Sequence, residues 1–128
     1  MTDAIVDTSV LVAREVGRPV QLRELPVRLA VSIITIGELR SGVLAAEDLA
    51  TRDRRLATLL DALQLDAIPV DGAVAEAWAR LRQDLRAGGL RMPVNDSWIA
   101  ATAIALRVPV VTQDEDYADV PGLQVIHV

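Results

Sequence analysis

Ala4-Ile5-Val6-Asp7-Thr8-Ser9-Val10-Leu11-Val12 is the stretch that decides how this chain folds. Ile5-Val6 is a short β-branched run beside the N-terminus and reads as a strand buried on both faces. It stops at Asp7 with no Gly, Pro or loop in between. Thr8 and Ser9 offer hydroxyl caps, and apolar spacing resumes as a short helix over residues 10–14 that ends near Gly17. A carboxylate is thereby fixed at the C-terminal end of an expected central strand, where open α/β sheets hold their ligands. Asp is also a preferred helix cap, and on this stretch alone capping is the simpler account of Asp7.

Working outward, strands and helices alternate. Residues 29–34 read as the second strand, and Thr35 opens a helix over 36–44. Thr35-x-x-Glu38 fits a capping box, in which the Glu side chain reaches back to the cap N–H. The same first-turn position also lets Glu38 point into the crevice above the sheet. The helix over 48–63 carries Leu49, Leu56, Leu59, Leu60 and Leu63 as one stripe, with Arg52-Asp53-Arg54-Arg55 on a solvated face. Residues 67–70 are a third strand, assigned to an edge by Pro69.

The helix over 72–87 has Val74, Ala77, Trp78, Leu81 and Leu85 as its stripe, and Gly88-Gly89 stops it. Trp78 reads as core there rather than as a platform for RNA bases. Arg80, Arg82 and Arg86 lie towards the opposite side, within reach of a phosphate chain. Residues 94–106 are apolar almost all round, which predicts a helix buried on most sides and capped by Asn95 or Asp96. Residues 108–112 form the fourth strand, followed at once by Gln113-Asp114-Glu115-Asp116-Tyr117. Residues 124–128 close the sheet, with His127 on its surface.

Alternating strands and helices imply right-handed crossovers and a mostly parallel sheet. In that arrangement Asp7 and Asp114 end strands while Glu38 and Asp96 begin helices, so all four acids fall on one rim. The 128 residues suit one domain over 1–128.

Composition narrows the chemistry. All 13 basic residues are Arg and there is no Lys, which removes a Walker phosphate loop and Schiff-base catalysis. Receiver domains and haloacid-dehalogenase-like phosphatases also place an Asp after the first strand, but need that Lys, and the latter a second Asp where Ser9 stands. With no Cys there are no disulfides and no thiolate metal site. No apolar run is long and uncharged enough to span a bilayer, and no signal-peptide pattern opens the chain, so a soluble cytoplasmic protein is expected. A net charge of −5 weighs against a broad duplex binder. Setting four of the 18 acids in one site leaves 14 against 13 Arg, so a nuclease stays open.

Clustered carboxylates repel, and without Lys to neutralise them a hard divalent cation is their natural partner. Mg²⁺ or Mn²⁺ suits a half-hydrated oxygen site, while a lone His and no Cys argue against zinc. Such a cation favours phosphodiester hydrolysis.

Four stretches also resemble a known family: Ile-Val-Asp7-Thr8-Ser9-Val-Leu, Thr35-Ile-Gly-Glu38-Leu39, Asn95-Asp96-Ser-Trp-Ile99-Ala100-Ala101-Thr-Ala103 and Val-Val-Thr112-Gln-Asp114-Glu-Asp116-Tyr117. In order and at matching spacing, they look like the PIN-domain nucleases, most of all the VapC toxin branch of bacterial toxin–antitoxin pairs. The resemblance implies a PIN-like three-layer sandwich, a five-stranded mostly parallel sheet flanked by helices, and a Mg²⁺- or Mn²⁺-dependent endoribonuclease. It assigns Asp7 and Asp96 as principal metal ligands, Glu38 and Asp114 as the rest of an acidic quartet, and Asp116 as an auxiliary acid. Thr8, Ser9 and Thr112 match the hydroxyls that orient the site. Tyr117 departs from the family, where Phe is commoner, and adds a hydroxyl. The resemblance further implies an RNA substrate, a homodimer, and a hetero-oligomer with a VapB-like antitoxin that lays a helix on the toxin and brings an Arg to the acidic pocket. Two other readings are a non-catalytic module whose acidic pocket serves an Arg-bearing partner, and a flap-processing nuclease, which the chain is too short to house.

Overall fold

The computed structural model describes every residue except Leu22 and Glu24, so the irregular link expected over 18–26 lies partly outside the described residues. In chain order the elements are β1 (Ala4–Val6), α1 (Thr8–Glu15), β2 (Leu29–Ser32), α2 (Ile33–Ala45), α3 (Leu49–Ala62) and β3 (Asp66–Ile68). They continue with α4 (Gly72–Ala87), α5 (Val94–Leu106), β4 (Val110–Thr112), a 3₁₀ turn (Glu115–Tyr117) and β5 (Val125–His127). The strands form one sheet in the order β3-β2-β1-β4-β5. Every pairing is parallel, with Ile5 opposite Val110 and Ala30 opposite Asp66.

β1 is central and fully buried because helices cover both faces, which is why its sequence is a continuous apolar run. Successive side chains still point to opposite sides. Ile5, Ala30 and Val110 pack with Leu81, Leu85, Ile99, Ala100, Ala103 and Tyr117 on the α4–α5 side. Ala4, Val6, Val31 and Val111 pack with Val10 of α1 on the other. Leu39 and Val43 of α2 close on Leu59 and Ala62 of α3 as a third cluster. Helices on either side of the one sheet make the three layers that the resemblance implies. The chain leaves β1 for β2 on one side and returns to β4 on the other, so the strand order reverses at β1 and opens a crevice above its C-terminal end.

Several boundaries differ from the sequence reading, each for a local reason. β2 stops at Ser32 rather than Ile34, because the Ser32 hydroxyl accepts the Ile34 N–H and starts α2 there. Thr35 is therefore inside the helix, and the capping box at Thr35–Glu38 does not form. On α3, Leu49, Leu60 and Leu63 are exposed while Thr58, Leu59 and Ala62 face inward. β3 begins at Asp66 and lies at the edge as Pro69 implied, and His127 is exposed on the opposite edge. Pro93, not Asn95 or Asp96, holds the cap position of α5, with no side-chain capping bond.

Candidate active site

Asp7 does two jobs at once. Its side chain accepts the Ser9 N–H at 3.3 Å and caps α1, while its own N–H donates to the Val111 carbonyl at 2.8 Å, tying it to the crevice between β1 and β4. The residue is only 2% exposed, and a buried carboxylate needs donors or an ion. Hydroxyls supply the donors. Oδ2 accepts from Ser9 Oγ at 2.7 Å and Thr112 Oγ1 at 2.9 Å. Oδ1 accepts from the Tyr117 phenol at 2.8 Å.

The same hydroxyls organise the loop after β4. Ser9 Oγ accepts the Gln113 N–H at 3.1 Å, and Thr112 Oγ1 accepts the Asp114 N–H at 2.8 Å. Asp114 then caps the 3₁₀ turn through the Asp116 N–H at 3.3 Å. This turn carries Tyr117 down into the core, where it is fully buried. Burial first, and then the charges of Asp7, Asp96 and Glu38, push its phenol far above the ordinary range, so it acts solely as a neutral donor.

On the other flank, Thr8 Oγ1 donates to Glu38 Oε1 at 2.8 Å and meets Thr35 Oγ1 at 3.0 Å. With the Thr8 proton given to Glu38, Thr35 is the donor to Thr8. Thr35 is completely buried, so Thr8 of α1, anchored by Thr35 in the first turn of α2, holds Glu38.

Asp96 stands in the first turn of α5, freed from capping by Pro93. Its carboxyl is pushed up to about 7, first by burial, then by the charge of Asp7, a hydrogen bond with Asp116, and the charges of Asp114 and Asp116. Asp96, Asp114 and Asp116 each offer a carboxylate oxygen within 4.8 Å of the other two. Among the described residues, none of these acids pairs with an Arg; the ion pairs are Arg14–Asp61, Arg28–Asp3 and Arg80–Glu76, all elsewhere.

A model of the PIN domain matches residues 4–123. The chain belongs to the PIN-domain family. It is 46% identical over 123 residues to Ribonuclease VapC4 of Mycobacterium tuberculosis, spanning 96% of this chain and 95% of the relative. It is 45% identical over 118 residues to Ribonuclease VapC5 of the same organism, spanning 92% and 87%. The crystal structure of VapBC-5 from Mycobacterium tuberculosis, a member of the VapBC family of toxin–antitoxin systems, superposes with a TM-score of 0.91 at 39% identity over all of both chains. Within the PIN family, the chain therefore falls in the VapC ribonuclease branch.

Three of the expected acids come closest together. Asp116, expected as an auxiliary acid, is inside the tightest group, with Asp96 and Asp114. Asp7 acts on Asp96 through its charge, and Glu38 is brought near enough to Tyr117 to raise its phenol. The donor set suits a hard cation. It is all oxygen, and Asp96, Asp114 and Asp116 would offer such a cation carboxylate ligands of the kind it prefers. Tyr117 is the participant that sequence reasoning undervalued. Its extra hydroxyl was visible, but its bond to a residue 110 positions away was not.

Proposed function

We propose that this chain is the toxin of a VapBC-type pair, one domain over 1–128 that cuts RNA internally with Mg²⁺ or Mn²⁺. The observation that carries the reading is the trio Asp96, Asp114 and Asp116, unpaired with any described Arg and set beside the buried Asp7. Asp7, Asp96, Asp114 and Asp116 would hold the cation, and Asp96 must give up its proton to do so. A divalent cation in such a site lowers the pKa of a water and offsets charge on the phosphoryl oxygens.

The protein's own groups do the positioning. Glu38 keeps Oε1 on Thr8 and leaves Oε2 available to accept a proton from the attacking water. Ser9, Thr112 and Tyr117 fix the Asp7 carboxylate so that it needs no rearrangement when substrate arrives. Kinship with VapC proteins supports a VapB-like antitoxin as partner, a hetero-oligomer with it, and a homodimer of the toxin.

The test compares the wild type with Asp7→Asn and Asp96→Asn on RNA in Mg²⁺, Mn²⁺ and EDTA. Cleavage by the wild type alone, and solely with a cation, is the expected result. Equal cleavage by all three proteins, or cleavage that survives EDTA, overturns it.

A further inference from the structure

A second feature lies where α4 and α5 pack together. The indole rings of Trp78 and Trp98 are stacked, with centroids 4.2 Å apart and planes 2° from parallel. They are half-buried rather than core. Trp78 Nε1 donates to Ser97 Oγ at 3.0 Å, and the guanidinium of Arg82 lies over the Trp78 ring, 5.1 Å from its centroid. Arg82 thus caps a three-layer stack, and its charge is held in place by a cation–π contact. Next to it opens a cleft of about 600 Å³ lined by Arg82, Arg86, Arg91, Leu85, Met92 and Ser97.

Three guanidiniums share this cleft, and none pairs with a carboxylate among the described residues. In a chain of net charge −5 that is an uneven distribution. The cleft and the acids are neighbours along α5, because Ser97, which lines the cleft, follows Asp96 in the first turn. A substrate crossing from one to the other needs negative charge at regular intervals where the Arg residues lie, and a reactive centre at the acids. A single nucleic-acid strand has that pattern, and Arg is suited to grip phosphate through its planar fork.

We propose that the Arg82–Arg86–Arg91 cleft is the subsite that binds backbone phosphates of single-stranded RNA flanking the scissile bond, with Arg82 pre-positioned by the Trp78–Trp98 stack. The proposal rests on the nuclease reading, and it assigns these Arg residues to positioning rather than to chemistry.

Binding is measured with a fluorescein-labelled single-stranded RNA in EDTA, where no cleavage occurs, across a salt series. For single strands the slope of log affinity against log salt falls by about 0.7 for each phosphate that the protein no longer neutralises. Arg82→Ala, Arg86→Ala and Arg91→Ala are each expected to weaken binding severalfold, and the triple variant to flatten the slope by about 2. Arg52→Ala on the exposed face of α3 should change neither. With cation present, the triple variant should raise KM and leave kcat within about twofold. Both Trp residues of the chain are in this stack, so their fluorescence should respond to RNA in the wild type and less in Arg82→Ala. Unchanged RNA affinity and slope in the triple variant overturn the proposal. So does a triple variant whose loss lies in antitoxin capture or in self-association by gel filtration, which would make the cleft a protein interface. A wild type that binds RNA with a slope the triple variant flattens, but never cleaves it, would sink the nuclease reading and leave the subsite standing.

Discussion

The Tyr117 hydroxyl donates to Oδ1 of Asp7 at 2.8 Å, bridging the 3₁₀ turn after β4 to the end of β1. Both residues are buried, so the bond is made where water cannot replace it. Tyr117→Phe keeps the ring and removes only this donor. Hydrogen bonds to charged groups contribute about 1.5–3 kcal/mol, and Ser9 and Thr112 still hold Asp7, so a loss of about 1–2 kcal/mol is expected. A lower Tm with RNA cleavage largely retained would match this. An unchanged Tm would show that the bond contributes nothing net.

Asp96 sets a pH dependence. Its folded pKa is about 7, against about 4 for an ordinary carboxyl. A group raised on folding gives stability that is complete below the unfolded value and lost as pH rises through the folded one. The cation-free protein should therefore lose stability between about pH 4 and pH 7 on this account. The cation acts oppositely, because it must displace the Asp96 proton and binds better as pH rises. The rise in Tm on adding Mg²⁺ or Mn²⁺ should be larger at about pH 8 than at about pH 6. Asp96→Asn should abolish that difference and raise Tm in EDTA at the higher pH. A cation effect independent of pH would place the ligands elsewhere.

Thr8 makes a separate prediction. It donates to Glu38 and meets Thr35, so Thr8→Val releases Glu38 and strands the hydroxyl of fully buried Thr35. Cleavage should fall about 10- to 100-fold, the scale of a misoriented general base, with cation affinity little changed. Thr8→Ser, which retains the hydroxyl, should restore most of the rate. Loss of cation affinity equal to the loss of rate would instead make Glu38 a ligand.

Much of this was legible from local chemistry. A β-branched run ending abruptly in Asp7 marked the central strand and its rim, and Pro69 and Gly88-Gly89 marked an edge and a stop. The misreadings arose where local signals tie. Ile33 and Ile34 suit a strand as well as a helix, so the change at Ser32 carries no Gly or Pro to betray it. Leu49, Leu60 and Leu63 keep helical spacing yet face outward, because α2 covers only the part of α3 around Leu59 and Ala62. Trp78 sits at a core spacing, but its partner Trp98 comes from another helix. The tightness of Asp96, Asp114 and Asp116 depends on a turn geometry that Thr112 dictates.

Thr112 therefore offers the sharpest test of how the site is held. Its completely buried hydroxyl donates to Asp7 Oδ2 at 2.9 Å and accepts the Asp114 N–H at 2.8 Å, joining the two acids through one atom. Thr112→Val keeps the shape and removes both bonds, leaving the Asp114 N–H short of a partner, at an expected cost of about 2–3 kcal/mol. The loop bearing Asp114 and Asp116 should then loosen, so cation affinity falls together with stability. Thr112→Ser keeps the hydroxyl and should recover both. Because Tyr117 holds the same carboxylate, Thr112→Val and Tyr117→Phe share a partner, and their combined effect should depart from the sum of the singles by at least about 0.5 kcal/mol. Strict additivity in thermal or denaturant unfolding would mean that the three hydroxyls around Asp7 act independently.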